Sequence, residues 1–249
     1  NYSNFDMDRD LEFKSIFPIF RTFGIFCLYL WTLGLNVYVW NNSNVNYKSL
    51  FMFDKHYSTI TEVYIRSSVF TIIFFSTFLL YILTRTKLNI FSQYDRNMVI
   101  GLLPGICWLS LIIYFFNPMK VFNYCGRTYT MRLFIECIAS ILIPIHFRHI
   151  WFMDQLTSLI GPMRDIEHTL CYYSNYFNPF QVRDLFCNNN RTIYLIIGIF
   201  PNFFRILQVG RQIIDNHKVM PYIFNIGKYT FNIIVATFSF LTNFNKIFF

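Results

Sequence analysis

The sequence predicts an all-α protein, a polytopic bundle of transmembrane helices. Two observations carry that prediction. The chain of 249 residues is 55% hydrophobic and only 14% charged, with 32 Phe, whereas a globular domain averages about 25% charged residues. Its apolar residues also gather into about seven runs, most of them close to the roughly 20 residues a helix needs to cross a bilayer. Backbone groups in hydrocarbon must bond within their own segment, so helices are the default. The runs are too long, and alternate too little, for barrel strands.

The first run covers residues 17–40. The second, 66–83, contains "SVFTIIFFSTFLLYIL", and the third, 98–116, is stopped by Asn117-Pro118. The fourth, 131–145, is short and carries Arg132 and Glu136, which stand at i, i+4 and most simply pair with each other. The fifth, 150–176, is long and interrupted by polar residues. The sixth, 192–215, is very apolar until Pro201, and the seventh spans 222–243. No internal repeat divides the chain, which reads as one domain over residues 1–249.

The net charge of +8 suits anionic headgroups or an anionic substrate. The basic residues are scattered rather than clustered, which argues against nucleic acid. Six Cys occur without a CxxC. Cys27, Cys107, Cys137 and Cys171 fall in apolar runs as small hydrophobes, while Cys125 and Cys187 fall in expected loops, where spacing alone does not decide pairing. Two sequons, at Asn41 and Asn190, lie in loops expected to share one side, in keeping with a cytosolic N-terminus. There is no Gly-rich phosphate loop, nucleophile elbow or HExxH, so enzyme chemistry and a cofactor are not expected. His146 and His149 have no placed third ligand, and a metal site is not expected either.

The polar residues inside the runs carry the functional reading. On a helix through 151–176, Asp154, Ser158, Gly161, Asp165, His168 and Tyr172 fall within about 40° of one line, flanked by Thr157. Such a stripe faces protein or a water-filled path, since an ionised group in lipid costs at least a few kcal/mol. The alternative is a helix lying at the interface with its charges in water. In "PNFFRILQVGRQIID", Arg205, Gln208 and Gln212 lie within about 60° of each other, and Arg211 lies about 120° from Arg205. An Arg after a long apolar stretch offers a planar fork for an oxyanion, or snorkels to headgroups. Lys120 after "NP" reads as an interfacial anchor or a basic group at a mouth. Asn36, late in the first run, suits interhelical bonding or substrate contact.

Taken in order, "FPIFR", "LGLNVYVW", "VNY", "NPMK", "WFMDQLTSL", "DIEHTLCYYS", "PNFFRILQVGRQIID" and "NIGKYTFN" resemble the EXS domain, the membrane part of the eukaryotic phosphate exporters. The resemblance covers residues 17–237, and the blocks around Asp154 and Arg205 are its most specific parts. It implies export of inorganic phosphate along a helix-lined path, in the plasma membrane or the Golgi and endomembranes, among membrane lipids and with a homodimer as a candidate assembly. It also implies control by inositol pyrophosphates through an SPX domain, and nothing in this chain resembles that module. Family members continue into further helices near a W-D…D-W motif. This chain starts at Asn1 and stops at Phe249 without it, so it is expected to be incomplete at both ends or shortened. Where the family has two adjacent Arg, this chain has Arg211 and Gln212, which puts the strength of anion binding and the anion preferred in question.

On that resemblance, Arg205 and Arg211 attract and desolvate the anion, with Lys120 near a mouth. Asp154 and Asp165 pair with those cations, so that phosphate competes with the acids. Asn36, Ser158, Tyr172 and Gln208 supply neutral hydrogen bonds. Two rivals are a non-transporting scaffold or trafficking protein that keeps the fold, and an intramembrane enzyme using His168 with Asp154 or Asp165.

Overall fold

A computed structural model describes the backbone of residues 2–53, 60–86, 93–120, 124–176 and 191–248. It describes their side chains except at 2–12, 14, 60, 93–97, 175–176, 191 and 243–248. The described residues form helices and contain no strand. In chain order these are α1 (Tyr2–Asn42), α2 (Tyr47–Leu50), α3 (Ile60–Arg85), α4 (Gln93–Phe116), α5 (Tyr124–Ile138), α6 (Phe147–Ser158), α7 (Ile160–Tyr176), α8 (Arg191–Asn216) and α9 (Tyr222–Phe248).

Four stretches among the described residues are long and apolar enough to cross a membrane: Ser15–Asn42, Thr61–Arg85, Met98–Phe116 and Thr192–Asn216. They belong to α1, α3, α4 and α8. The first three helices pack around an aromatic core that includes Phe20, Phe23, Phe70, Tyr81, Leu103 and Cys107. Their outer faces keep large apolar side chains exposed, Leu28, Ile72 and Ile113 among them. That inversion is what lipid as solvent allows.

The other three expected spans differ. The run at 131–145 does not cross. Its helix, α5, has 15 residues, a length of about 22 Å against a hydrocarbon core of about 30 Å. Its first turns reach the end of α4, where Arg127 donates to the carbonyls of Tyr114 and Met119. Tyr129 donates to the Phe51 carbonyl just past α2. Its last turn meets His149 through Glu136 at 3.1 Å, and Phe147 and Trp151 of the same α6 pack on Phe51. Both ends of α5 therefore stay near the C-terminal end of α1.

The run at 150–176 is divided between two helices in series, α6 and α7. The break falls at Leu159 (φ −97°, ψ 17°), because Pro162 has no N–H for the Ser158 carbonyl and its ring crowds that carbonyl. α6 starts beside Phe51, and α7 then passes Arg21 and reaches the Ser15 carbonyl through His168. The pair thus runs antiparallel to α1. Tyr173 donates to the Gly101 carbonyl at 3.0 Å, and a Cβ on Gly105 would sit 3.0 Å from the same hydroxyl. Glycine there leaves room for the Tyr173 ring to lie against α4.

α8 returns alongside α6 and α7, and α9 packs against α8 after a short turn. α9 has 27 residues but breaks its apolar run with Asn225, Lys228 and Asn232. Asn41 lies at the C-terminal end of α1, whereas α8 starts at the opposite end of the bundle. Asn190, the second sequon, lies outside the described residues.

Candidate functional site

Where α6 faces α8, the polar residues converge. Arg205 is 4% exposed, with Gln208 beside it fully enclosed. The Arg205 fork meets Asp154 at two points: Nε donates to Oδ1 at 2.8 Å and Nη2 to Oδ2 at 3.3 Å. Its Nη1 donates to Gln208 Oε1 at 3.1 Å. Tyr229, from α9, donates its hydroxyl to Asp154 Oδ1 at 2.7 Å and lies 3.3 Å from Arg205 Nε. Gln208 reaches back to the His149 carbonyl at 3.5 Å, which ties the cluster to the first turn of α6. The pair is lopsided: the Arg205 side chain is 5% exposed and that of Asp154 is 43% exposed. Arg205 is fixed by three helices, and the carboxylate is the partner with room to leave.

Asp165 does not join this cluster. It lies about 16 Å further along the helix axis, past the break at Leu159, and no one arginine serves both acids. Its partner is Arg21 of α1, held by a second two-point pair at 2.8 and 2.7 Å. Here the acid is the enclosed member, 10% exposed against 49% for Arg21. Arg21 was not among the expected site residues, although it stands in "FPIFR" as the lone charge of an apolar run.

Arg211 also turns elsewhere. It pairs with Asp215 one turn on at 3.0 Å and donates to the Ile141 carbonyl at 3.4 Å. Ser158 is exposed and donates to the Asp154 carbonyl at 3.3 Å. Tyr172 packs against the α1–α4 core. Asn36 and Lys120 are exposed, Asn36 late in α1 and Lys120 beyond the last turn of α4. Gln212, where the family carries a second Arg, is half-buried. Of the expected set, the structure brings together Asp154, Arg205 and Gln208, and it adds Tyr229.

Two smaller expectations are corrected. Glu136 does not pair with Arg132. It takes Arg148 at 3.0 Å and His149 at 3.1 Å, because α6 presents both side chains to it across the α5–α6 contact. Spacing leaves the pairing of Cys125 open; its sulfur is not in a disulfide, and Cys187 lies outside the described residues. Cys171, read as a small hydrophobe, is disulfide-bonded. Among the described residues, no group of three or more His, Cys, Asp or Glu is placed to hold a metal ion.

The same chain matches the EXS family model over residues 16–248. The chain belongs to the EXS family. It is 27% identical over 230 residues to the Arabidopsis thaliana protein named Phosphate transporter PHO1 homolog 4, covering 90% of this chain and 30% of that protein. It is 32% identical over 240 residues to SPX and EXS domain-containing protein 1 of Dictyostelium discoideum, covering 92% of this chain and 24% of that protein. It is 24% identical over 246 residues to Solute carrier family 53 member 1 of Homo sapiens, covering 94% and 34%. This EXS chain thus spans about a quarter to a third of the length of these relatives. Its apolar helices and its transporter relatives make it an integral membrane protein. Several relatives bear the names of phosphate transporters, and phosphate transport is a role of the family.

Proposed function

We propose that this chain forms the membrane part of an exporter of inorganic phosphate, in which Arg205 binds the anion and Asp154 competes with it. The observation that carries this reading is the two-point pair between an enclosed Arg205 and a half-open Asp154. A guanidinium fork fits a carboxylate and a phosphate oxygen pair alike. The Asp154 carboxylate therefore occupies the place an oxyanion would take. When phosphate arrives, Asp154 swings outward, and when it leaves, Asp154 returns and fills the fork. Such exchange keeps binding moderate, which conduction requires. Gln208 and Tyr229 hold the guanidinium in place while its partner changes.

The Cys171 disulfide supports an orientation. Disulfides persist in oxidising compartments, and Cys171 lies on α7 close to the Ser15 end of α1. That end is read as facing outside or the lumen, and the end with α2 and α5 as facing the cytosol. This reverses the orientation expected from the sequons. Efflux of labelled phosphate from cells or vesicles carrying the full-length protein tests the reading. Loss of efflux in Arg205→Ala supports it, and undiminished efflux with the protein folded and present removes Arg205 from the path.

A further inference from the structure

Arg164 of α7 is an exposed cation outside the cluster of Asp154 and Arg205. Its side chain crosses to α8. Nη2 lies 3.2 Å from where a Cβ on Gly198 would stand, and the guanidinium lies 6.0 Å from the centre of the Tyr194 ring. Gly198 is six residues into the stretch Thr192–Asn216, about 9 Å along the helix. Asp165, the acid next to Arg164 in sequence, is engaged at both oxygens by Arg21. A charged side chain at such a depth faces protein or a water-filled path, or snorkels to the headgroups.

The residues that α8 places beside Gly198 favour the path. Gly198, Asn202 and Arg205 fall within about 60° of one another around α8. Asn202, only 2% exposed, donates to the Gly198 carbonyl at 3.0 Å and accepts from Asn232 of α9 at 3.1 Å. Asn232 is exposed, and its amide has a second N–H to offer. Arg205 follows Gly198 by seven residues, about 10 Å further along the axis. The other residues of α8 between them are Ile, Phe and Pro. A line of polar groups therefore joins the two guanidiniums through an apolar stretch.

We propose that Arg164 is a second station for the phosphate anion, about 10 Å from Arg205 along α8 and reached past the amides of Asn202 and Asn232. The proposal rests on the reading of Arg205 as an anion site and extends it. Successive stations of moderate strength suit conduction, because an anion arriving at one repels the anion at the next and frees it. Glu167 stands three residues on, within side-chain reach on the same helix, and competes for Arg164 as Asp154 competes for Arg205.

Efflux of labelled phosphate from vesicles containing the full-length protein tests this, with wild type, Arg164→Cys and Arg205→Ala side by side. Arg164→Cys is expected to raise the phosphate concentration for half-maximal efflux about tenfold, the worth of a hydrogen bond to a charged group. Modification of the new thiol by the ethyltrimethylammonium methanethiosulfonate restores a positive charge and recovers efflux. The sulfonatoethyl reagent installs a negative charge and does not. Saturating phosphate slows both modifications, and the same reagents on wild type set the background from the native cysteines. An Arg164 that only snorkels gives an unchanged half-maximal concentration, which would overturn the proposal. Equal recovery with either reagent, or a modification rate that phosphate leaves alone, would overturn it too. Such a result beside lost efflux in Arg205→Ala removes the second station alone, whereas undiminished efflux in Arg205→Ala removes the Arg205 reading and the second station with it.

Discussion

The guanidinium of Arg205 and the carboxylate of Asp154 are joined at two points across the α6–α8 contact, with the base enclosed and the acid half open. Breaking a buried pair by deleting one partner costs about 3–5 kcal/mol when both charges are buried. Here the acid borders open space, so it has an alternative to its partner that the base lacks.

Tyr229 tips that balance toward the closed pair. Its hydroxyl donates to Asp154 at 2.7 Å, and a hydrogen bond to a charged group contributes about 1.5–3 kcal/mol, with the half-open Asp154 favouring the lower end, about tenfold. Tyr229→Phe is expected to lower the phosphate concentration for half-maximal efflux by that factor. A higher half-maximal concentration in the folded variant would show that Tyr229 serves the anion and not Asp154.

The Arg21–Asp165 pair has the opposite lopsidedness and is expected to act on stability. Arg21→Ala leaves Asp165, 10% exposed, without its charged partner. A loss of about 1.5–3 kcal/mol follows for a hydrogen bond to a charged group, with the half-exposed Arg21 favouring the lower end. Thermal unfolding of Arg21→Ala, Asp165→Asn and the double variant in one detergent measures it. Additive losses would show that the two side chains are not coupled.

Pro162 interrupts what would otherwise be one helix. Pro162→Ala restores an N–H for the Ser158 carbonyl and removes the ring clash. Unfolding temperature is expected to rise while phosphate efflux falls, because a continuous helix re-aims Asp154 away from Arg205. Efflux that rises together with stability would show that the break at Leu159 has no role in the path.

Orientation has its own test. Cys125 is exposed at the first turn of α5, the end read as cytosolic. A membrane-impermeant maleimide is expected to label it from the cytosolic side only. Labelling of intact cells from outside would reverse the orientation.

Much of the fold was legible in the sequence, for a physical reason. Lipid-facing helices are apolar along most of their length, so α1, α3 and α4 announce themselves as long apolar runs, and α8 does so as far as Pro201. α5 did not, because a charged helix of 15 residues that stays at one end resembles a poor span. At the site, Arg205 and Gln208 are three residues apart on one helix, and 3.6-residue arithmetic finds such pairs. The same arithmetic carried Asp165 onto the Asp154 stripe, since it assumed a helix unbroken at Leu159. Arg21 stands 144 residues from its partner, and Tyr229 is one of 17 Tyr. No periodicity within a single element could select either.

The most direct test compares Arg205→Ala with Arg211→Ala in vesicles containing the full-length protein, matched for folded protein, by efflux of labelled phosphate. Arg205 is held by Asp154 and Gln208, whereas Arg211 is engaged by Asp215 at 3.0 Å. The account predicts background efflux for Arg205→Ala and most of the wild-type rate for Arg211→Ala. Wild-type efflux from Arg205→Ala would contradict it.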